Sequence, residues 1–409
     1  MSEPTATRPP HLPAAALPPG PGERRRVLVV DDEPGVCYMA RRVLEQRFDV
    51  FEAGSGEEAL QLLETEAFHF AIVDVRLPGI SGLDLLAAIK NLSPRTDVIV
   101  MTGSAADIDE ALEGAIRRRA FFFLRKPFPM TILETLAVRV SEKQDLEEQL
   151  DRYTRTLERN LESARIFQRR LLPPPHWQGD RIEVASFYQS SEQLGGDLVD
   201  HWALPNGGSA LLIVDVMGHG PLAAMLTGIV KSQIHSLASE LPDPAEVLTV
   251  LEEELSRIAL PSFLTSLLLV DRPDTNEIRW AGAGHPPGFL WTPELRPGID
   301  PPALLSSEGL MLNTGLPHPP YQSSRSERIP GSRLLFYTDG YPESLDAAGR
   351  VFDETDEAAN SSPFLEAARS ALLADSPSEG IQRLESARNH FSDGVAADDD
   401  RAAALAFLS

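Results

Sequence analysis

The chain has 409 residues, with 37 Lys and Arg against 61 Asp and Glu, a formal net charge of −24 and a single cysteine. That length accommodates two independent cores joined by a linker, and 42% hydrophobic with 24% charged residues excludes wholesale disorder and fibrous architectures. So anionic a chain cannot bind nucleic acid through a basic footprint; one cysteine forms no internal disulfide, and no apolar run nears a membrane span, so a cytoplasmic protein without membrane contact is expected.

The first 25 or so residues hold seven prolines by Pro21 and no apolar periodicity, which predicts a disordered Pro/Ala-rich tail over 1–25. From Val27 the pattern changes. VLVV (27–30), DVFEA (49–53), FAIVD (70–74), DVIVMTG (97–103) and AFFFLRKP (120–127) are short apolar runs alternating with amphipathic stretches. Continuous apolar strands separated by helices predict a five-stranded, doubly wound α/β domain with a parallel sheet, over 26–140. Beyond it, Leu146, Leu150, Tyr153, Leu157, Leu161, Ala164, Phe167 and Leu171 recur every three or four residues between charges, a helical linker over 141–172 with the narrow seam of a coiled-coil homodimer. Pro173, Pro174 and Pro175 end it.

Residues 173–409 carry most of the charge, 34 acids against 14 bases, whereas residues 1–172 carry 27 against 23. Strand runs at 182–188, 209–216, 262–271, 277–284, 332–340 and 402–408, with helical stretches near 221–239, 244–259, 363–373 and 378–391, predict an antiparallel α+β sandwich. PNGG at 205–208 is a hairpin signal. The Pro-rich stretch 286–320 is expected to be irregular.

Asp31 and Asp32 follow the first strand, Asp74 ends the third, Thr102 the fourth, and Lys126 the fifth. In an open parallel sheet all lie at the carboxyl edge, where ligands bind. Carboxylates crowded there stay ionised with a cation among them, and all-oxygen ligands suit Mg²⁺. Asp74 is then a nucleophile toward a phosphoryl donor, with Lys126 and the metal neutralising the transferred oxygens and Thr102 hydrogen-bonding one of them. VLVVDDEP, IVDVRLPGISGLDLL, VIVMTG and FLRKPF resemble the response-regulator receiver family. The resemblance implies phosphorylation of Asp74 by a histidine kinase and Mg²⁺ held by Asp32, Asp74 and the main-chain carbonyl of Arg76. Its aromatic switch position is Phe123, without the commoner hydroxyl. Cys37 reads as a small buried hydrophobe.

In the second half GGD (195–197), DVMGHG (215–220), YTDG (337–340) and ADDD (397–400) each set aspartate at a strand end or beside glycine. Burying such carboxylates without cations is costly, and two hard divalent ions would satisfy them while activating water for attack on phosphate. The oxygen-only set favours Mn²⁺ or Mg²⁺ over zinc. With AxxFQRRLLP, AGAGHPP and the acidic run before the last strand, these segments resemble the PPM-type serine/threonine phosphatases of the sporulation and sigma-regulator branch. That resemblance implies Asp215 bridging two metals, a main-chain carbonyl from Val216, and carboxylates from Asp197, Asp339 and Asp399, with Asp400 the neighbouring register. Leu198 and Val199 replace frequent aromatics, with a differently shaped approach to the metals expected; Ala402 stands near a missing hydroxyl. Asp200 is expected as an outer carboxylate, and His219 and His285 are candidates for phosphate contact.

Together these features predict a two-component response regulator whose output dephosphorylates a phosphoserine or phosphothreonine protein, by resemblance an anti-sigma-factor antagonist. The alternative is an adaptor with a decayed metal site. Four acidic residues at the four ligand positions argue for the enzyme.

Overall fold

The computed structural model describes residues 24–103, 108–205, 207–258, 262–297, 300–306, 308–355, 361–395 and 397–409, so the expected N-terminal tail lies almost entirely outside the described residues. The chain divides into two compact units, Met1–Thr156 and Leu157–Ser409.

The first unit runs β1 (Arg25–Val30), α1 (Pro34–Leu44), β2 (Phe48–Ala53), α2 (Gly56–Thr65), β3 (Phe70–Asp74), α3 (Gly82–Leu92), β4 (Asp97–Thr102), α4 (Ile108–Arg117), β5 (Phe122–Arg125) and the beginning of α5 (Met130–Leu171). Its parallel strands lie in the order β2-β1-β3-β4-β5. Val27 and Val29 pack with α1 and α5, while Leu28 and Val30 pack with α2 and α3. This two-sided burial is why the strands read as unbroken apolar runs.

Helix α5 has 42 residues, about 63 Å at 1.5 Å per residue. Its early part is bound to the amino edge of the receiver-like sheet. Lys143 pairs with Asp97 at 3.0 Å, Arg25 with Asp145 at 2.6 Å, and Arg95 with Asp151 at 3.1 Å. The buried Gln144 amide donates to the His69 carbonyl at 2.7 Å and to Asp97 at 2.9 Å. The segment expected as linker from 141 is thus anchored as far as Asp151. The seam itself faces outward: Leu146, Leu150, Tyr153, Leu157 and Phe167 are all exposed.

The second unit continues with β6 (His176–Gln178), β7 (Ile182–Gln189), β8 (Asp197–Ala203), β9 (Ser209–Val216), α6 (Pro221–Glu240), α7 (Pro244–Ile258), β10 (Leu264–Arg272), β11 (Glu277–Ala283), β12 (Gly288–Trp291), β13 (Ala303–Leu305), β14 (Ser324–Glu327), β15 (Arg333–Tyr337), α8 (Pro363–Leu372), α9 (Pro377–Ser392) and β16 (Arg401–Leu408). Two antiparallel sheets, β14-β11-β10-β9-β8 and β13-β12-β15-β16-β7-β6, face each other. Val199, Ile213, Leu267, Phe336 and Ala404 fill the space between them. Alternate residues face outward, Leu212 and Val214 under α6 and α7, Ala403 and Leu405 under α8 and α9. Four layers result. The stretch 286–320, expected to be irregular, contributes β12 and β13; these strands of four and three residues, flanked by prolines, are too short to show alternation.

Candidate functional sites

At the carboxyl edge of the first unit's sheet, Lys126 is the centre of the cluster. Its Nζ lies 2.6 Å from Asp31 Oδ2 and 2.8 Å from Asp74 Oδ1. The other oxygen of Asp31 accepts from the Glu33 N–H at 3.0 Å, and the other oxygen of Asp74 from the Arg76 N–H at 2.8 Å. Burial pushes the Asp74 carboxyl above its ordinary range, against the pull of Lys126. Burial pulls the Lys126 ammonium down, but its two carboxylate partners outweigh it and hold the group above its usual value. Asp31 is spent on protein partners, whereas Asp32 is exposed. Thr102 is buried at the end of β4, and Phe123 packs half-buried over the α2/α3 side of the sheet. The edge is crowded by design of the backbone: a Cβ on Gly82 would lie 1.8 Å from the Asp74 carbonyl oxygen. Cys37 is buried, donates to the Asp31 carbonyl at 3.4 Å and is pushed up to about 11 by burial and by Asp31, an unreactive thiol as expected.

The second site forms where the two sheets of the sandwich end. The β8/β9 register sets Asp197 opposite Asp215. Asp339 follows β15, and Asp399 and Asp400 precede β16, its partner strand. Thr338 joins the sheets: its hydroxyl donates to Asp197 Oδ2 at 2.6 Å and accepts from the Ala402 N–H at 2.9 Å. A hydroxyl is therefore present beside Ala402, supplied from the facing strand. Asp197 is buried, and burial followed by the Asp215 charge drives its carboxyl far above the usual range. Asp215 is pushed up to about 7 by burial, Asp339 and Asp399; Asp339 to about 6 by burial, Asp399 and Glu343. Partial desolvation and the Asp400 charge raise Asp399 as well, although it keeps an exposed face on the rim.

Among the described residues no three His, Cys, Asp or Glu side chains are gathered tightly enough to hold a metal ion as they stand. The donor chemistry nevertheless fits hard divalent cations: these carboxyls are oxygen donors whose mutual repulsion a cation would relieve. The geometry also separates the two register candidates. Asp400 is buried and fully occupied, accepting from Ser191 N–H at 2.8 Å, Ser191 Oγ at 3.0 Å and Gly196 N–H at 2.5 Å. Asp399 accepts one bond, from the Asp400 N–H at 2.7 Å, and retains its outward oxygen. The double glycine has a steric cause. A Cβ on Gly195 would lie 2.3 Å from Asp400 Oδ2, and one on Gly196 2.5 Å from the Val216 carbonyl oxygen.

Several expectations are corrected. Leu198 and Val199 are each 1% exposed and pack into the two cores on either face of β8, so they do not line the approach. Asp200 points to the α6 side, away from the other carboxylates, where it meets Lys231 at 2.8 Å and His235 at 2.6 Å. His285 is buried between the Thr265 hydroxyl, 2.6 Å, and the Tyr337 carbonyl, 3.1 Å, and burial drives its pKa to about 3, so it is a neutral brace. His219 is not among the corrected residues: it is exposed, pairs with Glu192 at 2.9 Å and lies near Asp399 on the rim of the site. Sequence reasoning missed Thr338, Glu343 and Gln168, although Thr338 and Gln168 both lie inside quoted motifs, YTDG and AxxFQRRLLP.

Residues 27–137 match the response regulator receiver domain, and residues 205–406 match Stage II sporulation protein E (SpoIIE). The response regulator protein PilR of Pseudomonas aeruginosa is 36% identical over 114 residues, 28% of this chain and 25% of that protein. The phosphoserine phosphatase RsbP of Bacillus subtilis is 28% identical over 192 residues, 44% of this chain and 45% of that protein. The chain thus spans from a quarter to under half the length of these curated relatives. The SiaA-PP2C domain of Pseudomonas aeruginosa shares the fold, with 17% identity, a TM-score of 0.51, and coverage of 63% of this chain and 98% of that one. Two classes are joined here, a receiver domain and a phosphatase domain. The second matches SpoIIE over residues 205–406.

Proposed function

We propose that this chain is a response regulator in which phosphorylation of Asp74 controls a metal-dependent phosphoserine or phosphothreonine protein phosphatase. The convergence of Asp197, Asp215, Asp339 and Asp399 at one end of the sandwich carries the reading. In the receiver, Asp74 takes the phosphoryl group, Asp32 and the Arg76 carbonyl join it in holding Mg²⁺, Lys126 meets the new charge, and Thr102 hydrogen-bonds it. A histidine kinase is the donor implied by that domain.

In the second unit Asp197, Asp215, Asp339, Asp399 and the Val216 carbonyl hold two Mn²⁺ or Mg²⁺. When bound, such ions activate water and neutralise phosphoryl oxygens. The protein's own contribution is positional: Thr338 fixes Asp197, Asp400 fixes the glycine loop, and neutral His285, donating its Nε2–H to the Tyr337 carbonyl, braces the strand behind the site. Similarity to RsbP, a phosphoserine phosphatase, supports the substrate class, and the sigma-regulator resemblance supports a phosphorylated anti-sigma-factor antagonist. The exposed seam at 146–167 supports a homodimer through α5 in the cytoplasm; among the described residues no helix is long and apolar enough to cross a membrane.

Hydrolysis of an aryl phosphate by the full chain, with and without Mn²⁺ and with Asp215→Asn as control, tests the enzyme. Activity that requires Mn²⁺ and disappears in the variant supports it; equal inertness with every divalent ion and with Asp74 phosphorylated refutes it. Sedimentation in the presence of beryllofluoride tests the dimer, which a monomer at all concentrations would exclude.

A further inference from the structure

Asp339 and Asp399 stand where β15 and β16 have run out of ladder. The last paired residues are Tyr337 and Ala403, after which the Thr338 N–H reaches the Ala402 carbonyl at 3.0 Å. Asp197 and Asp215, by contrast, face each other within the β8/β9 ladder. Half of the carboxylate centre therefore needs an anchor outside the sheets, and helix α9 provides one. Glu385 and Arg388, three residues apart, share a face of it. Glu385 Oε1 accepts from the hydroxyl of the buried Tyr341 at 2.5 Å, and both Glu385 oxygens lie 3.4 Å from Nη1 of the buried Arg401. Tyr341 is two residues beyond Asp339, and Arg401 two beyond Asp399. Arg388 Nε donates to Ser344 Oγ at 3.1 Å, and that hydroxyl donates to the Gly340 carbonyl at 2.6 Å. There is no slack between the two segments: a Cβ on Gly340 would lie 1.9 Å from the Asp400 carbonyl oxygen.

Burial, then the Arg401 charge, pulls the Arg388 guanidinium below its ordinary range, and Glu385 opposes that pull. Burial, then the Glu385 charge, holds the Tyr341 phenol well above its usual value, so it stays a donor. Glu385 thus faces two buried cations and one hydroxyl donor. We propose that Glu385 is a positioning residue that sets the separation of Asp339 and Asp399, acting through Tyr341 and Arg401 rather than on the reacting atoms. One carboxylate shared by two partners ties the segment after β15 to the start of β16. Without its charge, Arg388 and Arg401 repel each other in a buried space and the two segments part. This inference rests on reading the centre as a divalent-metal site.

The test uses the full-length chain, with Mn²⁺ binding read by electron paramagnetic resonance and amide hydrogen exchange over 338–344 and 398–402 read in chelator. Asp215→Asn supplies the blank for Mn²⁺ bound elsewhere. Tyr341→Phe removes only the hydroxyl; Glu385→Gln keeps an acceptor for it and removes the charge. Each should weaken Mn²⁺ at the centre roughly ten-fold, the scale of an outer-shell partner, change the spin–spin coupling between the bound ions and accelerate exchange in both segments. Arg328→Lys disturbs the buried pair with Asp271, at the opposite end of β10 from the Leu264–Val216 pairing. It should lower the melting temperature and leave Mn²⁺ affinity, coupling and protection unchanged. Wild-type affinity and coupling in both test variants overturn the proposal, as does an equal loss of affinity in Arg328→Lys. If the wild type binds no Mn²⁺ the metal reading falls instead, and exchange in chelator still decides whether Glu385 holds the two segments together.

Discussion

Replacing Asp400 by Asn removes one of two acceptor oxygens that together receive three hydrogen bonds from Ser191 and Gly196. The new amide must turn its NH₂ toward a backbone N–H, so at least one charge-assisted bond of about 1.5–3 kcal/mol is lost, and one buried donor is left unpaired at about 1–3 kcal/mol. The sum, roughly 2.5–6 kcal/mol, is a large part of the ~5–15 kcal/mol that stabilises a domain. At about 2–4 °C per kcal/mol it should lower the melting temperature of the phosphatase transition by roughly 5–24 °C. The same change at Asp399 should act in the opposite direction. Its carboxyl is held above the usual range by partial desolvation and by Asp400; the neutral amide removes that repulsion and keeps the acceptor for the Asp400 N–H, so the metal-free protein should melt higher while losing Mn²⁺ affinity. Scanning calorimetry in chelator, paired with Mn²⁺ titration calorimetry, measures both. A lower melting temperature for Asp399→Asn, or none of the loss for Asp400→Asn, would show that the ligand and the clamp have been assigned the wrong way round.

Gly196→Ala places a Cβ 2.5 Å from the Val216 carbonyl oxygen and 2.8 Å from that of Gly218, both backbone; phosphatase activity and Mn²⁺ binding should both be lost, read by the same titration. The metal-free protein should become less stable as pH rises from about 4 to about 7. In that window the unfolded Asp215 has already released its proton, near 3.8, while the folded group keeps it until about 7, so the folded state binds the extra proton and loses its advantage as that proton leaves. Chemical denaturation across this range should show the slope, and Asp215→Asn should reduce it. Lys126→Met leaves Asp31 and Asp74 buried without their shared cation, at about 3–5 kcal/mol to the receiver transition; phosphorylation by acetyl phosphate, followed by mass spectrometry, should slow sharply.

The receiver edge was legible because every functional residue sits at a strand end, and strand ends can be read from apolar runs; Asp31, Asp74, Thr102 and Lys126 fall where the pattern puts them. In the second unit the glycine-flanked aspartates were visible for the same reason, but their division of labour was not. Three consecutive aspartates are chemically identical in sequence, and only the bonds from Ser191 and Gly196 distinguish Asp400 from Asp399. Gln168 stood in the open, yet nothing local marks an amide whose partner lies 27 residues away. Leu198 misled because a residue next to Asp197 on a strand points to the opposite face, under α6 and α7; Val199 shares the Asp197 face but lies deeper, in the core between the sheets. The short β12 and β13 were hidden by prolines that end strands as readily as they interrupt them.

The scarcity of lysine has a practical consequence. Amine-directed reagents meet four lysines in this chain, at 90, 126, 143 and 231. Three are held in ion pairs: Lys126 between Asp31 and Asp74, Lys143 at the root of α5, Lys231 at its tip. Burial pulls the Lys90 ammonium below its ordinary range, whereas the carboxylates around Lys126 and Lys143 keep theirs above it despite burial. The nucleophilic free amine is therefore most available at Lys90, which serves as an internal reference. Mass-resolved acylation of the unmodified protein then reports separately on the Asp31–Asp74 cluster and on both ends of α5, without an introduced label.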